Sequence, residues 1–421
     1  MTERRRVAIT GLGVVTPAGI GLPRFRTALR GARSPVRRID RFDASTFRSQ
    51  VAAQVDDFEP LDHLDAKTAR QLDRFSQFSL VAGRMALEDA RLEPGRGGAA
   101  APERIGIYLG SALGGIAFAE EQHERYIERG IRSVSPMLAL AVFGGAAPAN
   151  LGIALGIHGP ILSTANSCAS GAVALGEALD AIRSGQIDAA IAGGAEVPLS
   201  PLAFGAFDII RALSAGSNDV PECAARPFDG ARDGFVMGEG AALLVLEALD
   251  VAERRGAKPY AELLGYGSTS DAHHMVQPRA DGREAARAAT IALADGGVRP
   301  DEIDYVSAHA SSTPIGDVAE ARAIARALGE RAATVPVSGT KALYGHPLGA
   351  SGAIEAGICA LTIRDGWAPA TANLRQPDEE TASLLPGLLR EGRPGQYRRV
   401  LSTSFGFGGL NAALVLGDLD S

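Results

Sequence analysis

The feature that most restricts the fold is an uncharged segment in the N-terminal half of the chain. From Ser133 to Gly176 the sequence contains no Asp, Glu, Lys or Arg. A helix that crosses a bilayer needs about 20 apolar residues in succession. Here, helix-breaking and polar residues divide the segment into shorter pieces, which predicts strands and short helices in a large protein core. These residues are Pro136, Gly144, Gly145, Pro148, Asn150, Gly152, Gly156, His158, Gly159 and Pro160.

The N-terminus and the net charge argue against several classes of protein. Met1–Arg6 is basic, but Val7–Val15 resembles a glycine-interrupted strand with no small-residue cleavage site after it, so a cytoplasmic location is expected. The net charge of −7 gives no overall attraction for nucleic acid or an anionic membrane. We therefore predict no nucleic-acid partner and no membrane partner, although a local basic patch would suit an acidic protein.

The length and the cysteines indicate a compact intracellular protein. With 421 residues, of which 46% are hydrophobic, the chain can form two or three domain-sized units with buried cores. The three cysteines, Cys168, Cys223 and Cys359, are odd in number and show no CxxC spacing. Neither a disulfide framework nor a zinc site is therefore indicated, and reduced thiols are expected.

Short β-branched or apolar runs alternate with helical patterns, which predicts an α/β fold. The predicted strands are Val7–Thr10, Ile105–Leu109, Ala189–Ala192, Leu243–Leu246, Ile303–Ser307 and Val400–Thr403. The predicted helices are Phe75–Ala90, Gly171–Ser184, Gly282–Ala294 and Ala319–Leu328. A charged run ends near Gly256–Lys258, so we expect two similar halves, 1–256 and 257–421, that pack together as one body.

Gly11-Leu12-Gly13 near the N-terminus matches part of a dinucleotide-binding fingerprint. The third glycine of that fingerprint is replaced by Thr16, and no acidic residue that would bind a ribose follows a clear βαβ unit. We therefore favour a turn after the first strand over a dinucleotide-binding loop.

Cys168 is a candidate nucleophile. It follows a short strand and immediately precedes the helical pattern Ala172–Ile182. The unpaired amides and the dipole at a helix N-terminus favour a thiolate, so a lowered thiol pKa is expected. The alternative is a small hydrophobic core residue, which is the usual role of an isolated cysteine in an apolar segment.

Two histidines strengthen the catalytic interpretation. His309 follows the strand Ile303–Ser307, and His346 lies in a glycine-rich loop that precedes a helix. Two neutral imidazoles that donate N–H groups to one oxygen would stabilise an enolate. A metal site is less favoured, because neither histidine has a second ligand at helical spacing. The adjacent His273 and His274 are interpreted as structural.

Three further residues are candidates for supporting roles. Lys341, in the same glycine-bounded loop as His346, would place a cation at the site. Glu355 on the following helix would either pair with that cation or orient a water molecule. Phe407 lies in the glycine-rich segment Thr403–Asn411, whose amides, with that of Cys168, would form an oxyanion hole. The alternative for this segment is a hairpin-like turn with two core phenylalanines.

Taken together, these segments resemble the β-ketoacyl-acyl carrier protein synthases of the type II elongating class, within the thiolase-like condensing enzymes. The resemblance extends over nearly the whole chain. It rests on Val7–Gly13, Gly193–Glu196, Arg226–Asp229, Arg232–Gly240, Thr340-Lys341 with Gly345-His346, and Phe405–Gly409. It implies a five-layer αβαβα fold with two halves related by a pseudo-twofold axis, assembled as a homodimer whose surface includes the uncharged segment.

The resemblance also implies a reaction and its catalytic residues. Cys168 would take an acyl group from the phosphopantetheine of an acyl carrier protein, with no other cofactor and no metal. His309 and His346 would then hold the enolate formed when a malonyl carrier loses carbon dioxide, supported by Lys341 and Glu355. The product would be a 3-oxoacyl carrier protein, as in fatty acid elongation.

Further residues correspond to the family's binding positions. Phe407 resembles a gate between the acyl and malonyl positions, and Leu113 the floor of the acyl pocket. The remaining correspondences are Ser311, Thr313 and Val276 for the pantetheine tunnel, and Lys67, Arg70 and Arg211 for the acidic carrier.

The chain departs from the family pattern beside these residues, so the resemblance does not determine which acyl substrate the protein uses. Ala310-Ser311 replace the usual Gly-Thr, Asn166-Ser167 replace Thr-Ala, and Val276 stands where threonine is common. A ketosynthase of a specialised type II polyketide or aryl polyene pathway is the alternative.

Other classes of protein are less favoured. A thiolase-type acyl-CoA enzyme is less favoured because Phe405–Gly409 contains no second cysteine. A non-catalytic chain-length partner is less favoured because Cys168 is present. A papain-like hydrolase would have no use for Lys341 and a second histidine.

Overall fold

A computed structural model of the protein describes residues 4–97 and 99–419. The strands are β1 (Val7–Thr16), β2 (Gly19–Ile20), β3 (Arg37–Arg38), β4 (Val51–Ala52), β5 (Ile105–Gly110), β6 (Ile161–Thr164), β7 (Ala189–Glu196), β8 (Gly240–Ala248), β9 (Ala261–Ser270), β10 (Tyr305–Ala308), β11 (Val337–Gly339), β12 (Trp367–Ala368), β13 (Arg393–Pro394), β14 (Arg399–Gly406) and β15 (Leu410–Gly417). The α-helices are α1 (Leu22–Gly31), α2 (Ala66–Gln71), α3 (Arg74–Ala90), α4 (Ile116–Arg129), α5 (Leu138–Ala141), α6 (Ala146–Leu155), α7 (Ser170–Arg183), α8 (Pro201–Ile209), α9 (Leu249–Arg254), α10 (Arg283–Asp295), α11 (Gly316–Leu328), α12 (Ser351–Asp365) and α13 (Glu379–Leu384).

The main sheet consists of two halves with the same topology. The N-terminal half has the strand order β6-β5-β7-β8-β1, and the C-terminal half has the order β11-β10-β14-β15-β9. In each half the first three strands pair in parallel and the others pair antiparallel. The halves join where Ala8 and Ile9 of β1 pair with Glu262 and Ala261 of β9.

Helices cover both faces of each half. α3 and α6 pack on the outer face of the N-terminal half, and α10 and α11 pack on the outer face of the C-terminal half. α7 and α12 lie between the halves, where α12 contacts α7, β7, β8 and β14. A helix that is largely apolar on every face is usually buried, and α12 is buried from Ser351 to Thr362, with Glu355 as its one charged residue in that range. The predicted five-layer αβαβα fold is thereby confirmed.

The uncharged segment folds as short elements. It contains α5, α6, β6 and the first half of α7, which confirms the prediction of strands and short helices. Among the described residues, no helix combines the length and the apolar character needed to cross a membrane. The predicted helices α3, α7, α10 and α11 are present to within three residues at either end.

The turn expected at Gly11–Thr16 was wrong, and the interpretation of Val7–Val15 as a glycine-interrupted strand is confirmed. β1 continues through Gly11 and Gly13 to Thr16, with an irregularity in register between Ile9 and Gly11. A Cβ atom at Gly13 would lie 1.9 Å from the carbonyl oxygen of Ala82 on α3. The two glycines therefore let the helix pack directly against the strand backbone, and they form neither a turn nor a dinucleotide-binding loop.

Candidate active site

Cys168 lies at the junction between β6 and α7, as its sequence position predicted. It is the middle residue of a 3₁₀ turn, Ser167–Ala169, that leads into the helix, and its side chain is buried. Ser167 has φ 52°, so the backbone turns through the left-handed region just before the thiol. The Ser170 Oγ closes this turn, because it accepts from the Asn166 N–H at 2.8 Å and donates to the Ser167 carbonyl at 2.6 Å.

The segment after β14 contacts this turn from the C-terminal half. β14 and β15 form a hairpin around Phe407–Gly409, as the alternative interpretation predicted, but Phe405 and Phe407 are half-buried and line the cavity, so they are not the core residues which that interpretation expected. A Cβ atom at Gly406 would lie 3.0 Å from the Cys168 nitrogen, so glycine permits the close approach. The Phe407 N–H faces the sulfur of Cys168. The Phe407 ring stacks on that of Phe207, with 6.0 Å between the ring centroids.

His309 follows β10 and is fixed through both its backbone and its ring. Its N–H donates to Glu320 at 2.8 Å. Lys341 Nζ lies 3.2 Å from His309 Nδ1 and also donates to the His309 carbonyl oxygen. Because an ammonium group can only donate, Nδ1 is the acceptor and the neutral ring carries its proton on Nε2.

His346 lies in the loop before α12, and its ring contacts the ring of His309. The His309 and His346 rings are 5.2 Å apart between centroids at an interplanar angle of 80°. His346 Nδ1 is 2.9 Å from Ser351 Oγ at the start of α12, and its backbone N–H donates to the Val236 carbonyl at 2.7 Å. A hydroxyl that donates to Nδ1 leaves the Nε2 proton available to the cavity.

Lys341 and Glu355 form a buried ion pair, as predicted. The Lys341 and Glu355 side chains are only 2% and 0% exposed. Tyr344 OH donates to the same carboxylate oxygen of Glu355 at 3.3 Å. Lys341 therefore links Glu355 on α12 to His309 in the loop after β10.

Burial controls the protonation of the three central groups. Burial raises the pKa of the Cys168 thiol to about 11, although the Ser167 hydroxyl, the Lys341 charge and the Phe407 N–H each lower it. The expected lowering of the thiol pKa was therefore wrong for the resting protein, because desolvation outweighs the favourable contacts. Burial, with the nearby Lys341, holds the pKa of His309 and His346 well below the usual range, so both imidazoles are neutral at neutral pH.

One cavity leads from the surface to these groups. Cys168, His309 and His346 line it together with the predicted tunnel residues Ser311, Thr313 and Val276 and with Phe407. Ser311 Oγ and Thr313 Oγ1 are 3.1 Å apart and present two hydroxyls to the cavity.

The other predicted binding residues lie outside this cavity lining. Leu113 is half-buried and packs against an apolar cluster that includes Cys168, Leu199, Phe204 and Phe407. Lys67 and Arg70 are exposed on α2, and Arg211 is exposed just after α8.

Sequence reasoning assigned no role to two buried carboxylates that hold the catalytic loops. Glu320 accepts from the N–H groups of His309 and Ala310 at 2.8 and 2.6 Å and from Thr403 Oγ1 at 2.7 Å. Glu196 accepts from the Leu113 N–H at 3.0 Å and the Gly349 N–H at 2.9 Å. Burial raises the pKa of each carboxyl to about 7. An acidic residue at the end of the otherwise apolar strand β7 was the available signal for Glu196.

The same three side chains are also the candidate metal ligands among the described residues. One ligand atom each from Cys168, His309 and His346 lies within 4.8 Å of the other two. The ammonium group of Lys341 lies against His309, and it would repel a cation bound there. The arrangement therefore suits a nucleophile with two N–H donors better than a metal centre.

Comparison with known proteins identifies the family. The N-terminal domain of β-ketoacyl synthases matches residues 4–252, and the C-terminal domain of the same family matches residues 260–375. The 3-oxoacyl-[acyl-carrier-protein] synthase 2 of Coxiella burnetii is 42% identical over 414 residues, 98% of this chain and 99% of the relative. The enzyme of the same name from Staphylococcus aureus is 40% identical over 417 residues, 99% of each chain.

Solved structures of ketosynthases have the same fold as this chain. A β-ketoacyl synthase from Burkholderia phymatum superposes with a TM-score of 0.91 at 35% identity, over 99% of this chain and 100% of that one. The ishigamide ketosynthase/chain length factor gives 0.89 at 34% identity, over 99% of each chain. A type II polyketide ketosynthase bound to its acyl-carrier protein gives 0.89 at 32% identity, over 99% and 100%. The buried thiol, the two neutral imidazoles and the duplicated sheet are therefore those of a condensing enzyme, and the chain belongs to the β-ketoacyl synthase family.

Proposed function

We propose that the protein is a 3-oxoacyl-[acyl-carrier-protein] synthase that acts in fatty acid elongation. The observation that carries the proposal is the convergence of Cys168, His309 and His346 on one cavity, with their ligand atoms within 4.8 Å of one another. The identity of 40–42% to curated synthases of that name over nearly the whole chain supports it.

The first half-reaction transfers an acyl group to the enzyme. The sulfur of Cys168 attacks the thioester of an acyl carrier, its proton passes to the departing carrier thiol, and the acyl–sulfur bond forms as the carrier bond breaks. The N–H groups of Cys168 and Phe407 stabilise the tetrahedral oxyanion, and the position of the Phe407 amide beside the sulfur supports this role.

The second half-reaction condenses the bound acyl group with a malonyl carrier. The bond between the malonyl carboxylate and the adjacent carbon breaks with release of carbon dioxide, and its electron pair forms an enolate whose oxygen accepts hydrogen bonds from the Nε2–H groups of His309 and His346. The enolate carbon attacks the acyl carbonyl, the acyl–sulfur bond breaks, and the departing Cys168 thiolate takes up a proton from solvent to restore the thiol. Neutral imidazoles suit this step because they can donate hydrogen bonds without an acidic group that would quench the carbanion.

We assign supporting roles to residues around the triad. Lys341, paired with Glu355, fixes the tautomer of His309, and Phe407 acts as the gate between the acyl and malonyl positions. Leu113 forms the floor of the acyl pocket, while Ser311, Thr313 and Val276 line the pantetheine tunnel. We also propose the halves 1–256 and 257–421 as the two structural units of the chain.

The partners we propose are an acidic acyl carrier protein and a second copy of the chain. Lys67, Arg70 and Arg211 are exposed cations suited to the carrier. The uncharged segment exposes large apolar side chains, of which Ile153 is 82% exposed, and β6 is an edge strand with exposed Ile161 and Leu162. Such surfaces usually mark an interface, so we assign this face to a homodimer. The proposed location is the cytoplasm, with no metal and no cofactor beyond the carrier's phosphopantetheine.

A ketosynthase of a specialised type II polyketide or aryl polyene pathway is the second candidate. It is favoured by the likeness to the ishigamide ketosynthase/chain length factor and by the substitutions Ala310 and Ser311 beside the catalytic histidine. In that case the apolar face would bind a chain-length partner in place of a second copy.

Incubation with acyl and malonyl carriers, followed by intact-mass analysis, tests the proposal. The protein should acquire an acyl adduct on Cys168, and the malonyl carrier should discharge it with formation of a 3-oxoacyl carrier two carbons longer. Cys168→Ala should abolish condensation, and the surface variant Cys223→Ala should not. Full retention of condensation by Cys168→Ala would exclude the assigned nucleophile.

A further inference from the structure

Arg279 lines the cavity that contains the catalytic thiol. Cys168, His309 and His346 form the inner end of the cavity, where each is at most 5% exposed. The outer end is formed by the segment after β9, where Val276 and Gln277 are exposed and the Arg279 side chain is 25% exposed. Arg279 is therefore a permanent cation at the mouth of the passage to the thiol.

The backbone of Arg279 is anchored to the rest of the site. Its N–H donates to Asp271 at 3.0 Å, and Asp271 is buried and accepts from Asn411 at 2.8 Å. In the same segment, the Met275 carbonyl accepts from the Gly408 N–H at 2.7 Å, in the hairpin turn that carries Phe407. The position of Arg279 is thus fixed relative to the catalytic groups, although its side chain reaches solvent.

The guanidinium group has one carboxylate partner among the described residues. It contacts Asp281 through two hydrogen bonds of 3.3 Å each, and the Asp281 side chain is 42% exposed. Solvent-exposed ion pairs of this kind contribute little free energy, so the guanidinium can exchange this partner for another anion.

We propose that Arg279 binds the phosphate group of the phosphopantetheine arm when the thioester at the end of the arm reaches Cys168. This inference rests on the proposed function. The phosphate is the charged group of the arm, and the planar fork of an arginine matches two phosphate oxygens. The inner cavity offers hydroxyl groups, at Ser311 and Thr313, to the amides of the arm. Arg279 therefore selects thioesters that carry a phosphate at the required distance from the reacting carbon.

Paired small substrates separate this role from docking of the carrier protein. Hexanoyl-phosphopantetheine and hexanoyl-pantetheine differ only in the phosphate, and acylation of Cys168 is followed by intact mass over time. Arg279→Gln removes the charge, Arg279→Lys keeps it as a point charge, and Arg283→Gln removes an exposed cation of α10 that does not line the cavity. The rate of Cys168 alkylation by iodoacetamide reports whether the inner site is intact.

We expect the wild-type kcat/KM to be about tenfold higher for the phosphorylated substrate, as one charge-assisted pair allows. Arg279→Gln should lose this advantage and leave the reaction of the dephosphorylated substrate and the alkylation rate unchanged. Arg279→Lys should retain part of the advantage, and Arg283→Gln all of it.

The assignment of Arg279 would be overturned if Arg279→Gln lowered kcat/KM equally for both substrates or for neither. It would also be overturned if Arg283→Gln lowered kcat/KM in the same way as Arg279→Gln. Equal wild-type rates with the two substrates would overturn this inference and leave the proposed function standing. If neither small substrate nor the acyl carrier acylates the wild-type protein, both this inference and the proposed function are overturned.

Discussion

Replacing Lys341 by Met tests whether a buried ion pair holds the catalytic centre together. Methionine has nearly the length of lysine without its charge, so the change removes the cation and leaves the shape. Glu355 is then buried with Tyr344 OH, at 3.3 Å, as the remaining donor to its Oε1 atom among the described residues. Its Oε2 atom has no hydrogen-bond partner among the described residues.

The expected cost follows from the burial of the pair. Removing one partner of a buried pair costs about 3–5 kcal/mol, because the other charge stays desolvated and unpaired. For a chain of 421 residues the entropy of unfolding is about 0.9 kcal/mol per kelvin, so the expected decrease in Tm is about 3–6 °C. The double variant Lys341→Met/Glu355→Gln removes both charges and should recover most of this loss.

The loss should also depend on pH with a defined sign. Burial raises the pKa of Glu355 from 4.5 to about 7, against the opposing charge of Lys341. A raised folded-state pKa gives stability that is fully present below the unfolded value and lost as pH rises through the folded value. Without Lys341 the folded pKa is higher still, so the deficit of the variant should be largest at pH 8 and should shrink at pH 5.

Thermal unfolding at pH 5 and pH 8 measures both effects. Arg254→Met is the matched control, because Arg254 and its partner Asp250 are 62% and 54% exposed and their pair should contribute less than about 1 kcal/mol. A Tm within 1 °C of wild type for Lys341→Met at pH 8, or an equal deficit at the two pH values, would refute the buried-charge reasoning.

The remaining predictions concern the reaction itself. His309→Ala and His346→Ala should each reduce malonyl decarboxylation by about 10²-fold or more, as loss of one oxyanion donor does, and wild-type release of carbon dioxide by both variants would contradict the enolate assignment. Leu113→Phe should shorten the acyl chains that the enzyme accepts in a competition assay with mixed acyl carriers. Unchanged use of long chains would mean that Leu113 does not form the pocket floor.

The sequence predicted the fold well where periodicity and composition act locally. The α/β alternation placed α3, α7, α10 and α11 correctly, and the glycine and proline positions showed that Ser133–Gly176 could not be a membrane helix. The turn expected at Gly11–Thr16 failed, because the need for these glycines arises from α3, which packs against the strand from a distant part of the chain. The local pattern indicated a glycine-interrupted strand over Val7–Val15, but it could not show which helix requires the glycines.

The candidate site was predicted by residue type and motif, and its electrostatics were not. Cys168, His309, His346 and Lys341 could be chosen from the sequence because each lies in a small-residue or glycine-rich segment that leads into a helix. Glu355 could be chosen because it follows His346 on the next helix. Their protonation depends on burial by both halves of the chain, which no local segment reports. The roles of Glu320 and Glu196 were missed for the same reason, because each carboxylate holds two loops that are far apart in the sequence.

The raised pKa of Cys168 has a consequence for how the thiol reacts. With a pKa of about 11, the resting sulfur is protonated at neutral pH and is protected from adventitious electrophiles. It must therefore lose its proton as it attacks the thioester, and the departing carrier thiol takes this proton up, because each neutral imidazole already carries a proton on Nε2 and accepts a hydrogen bond at Nδ1. Burial is the main reason that those imidazoles are neutral, and the Lys341 charge adds to it. The same charge lowers the pKa of the thiol, so one buried cation favours both the thiolate and the neutral histidines that the two half-reactions require.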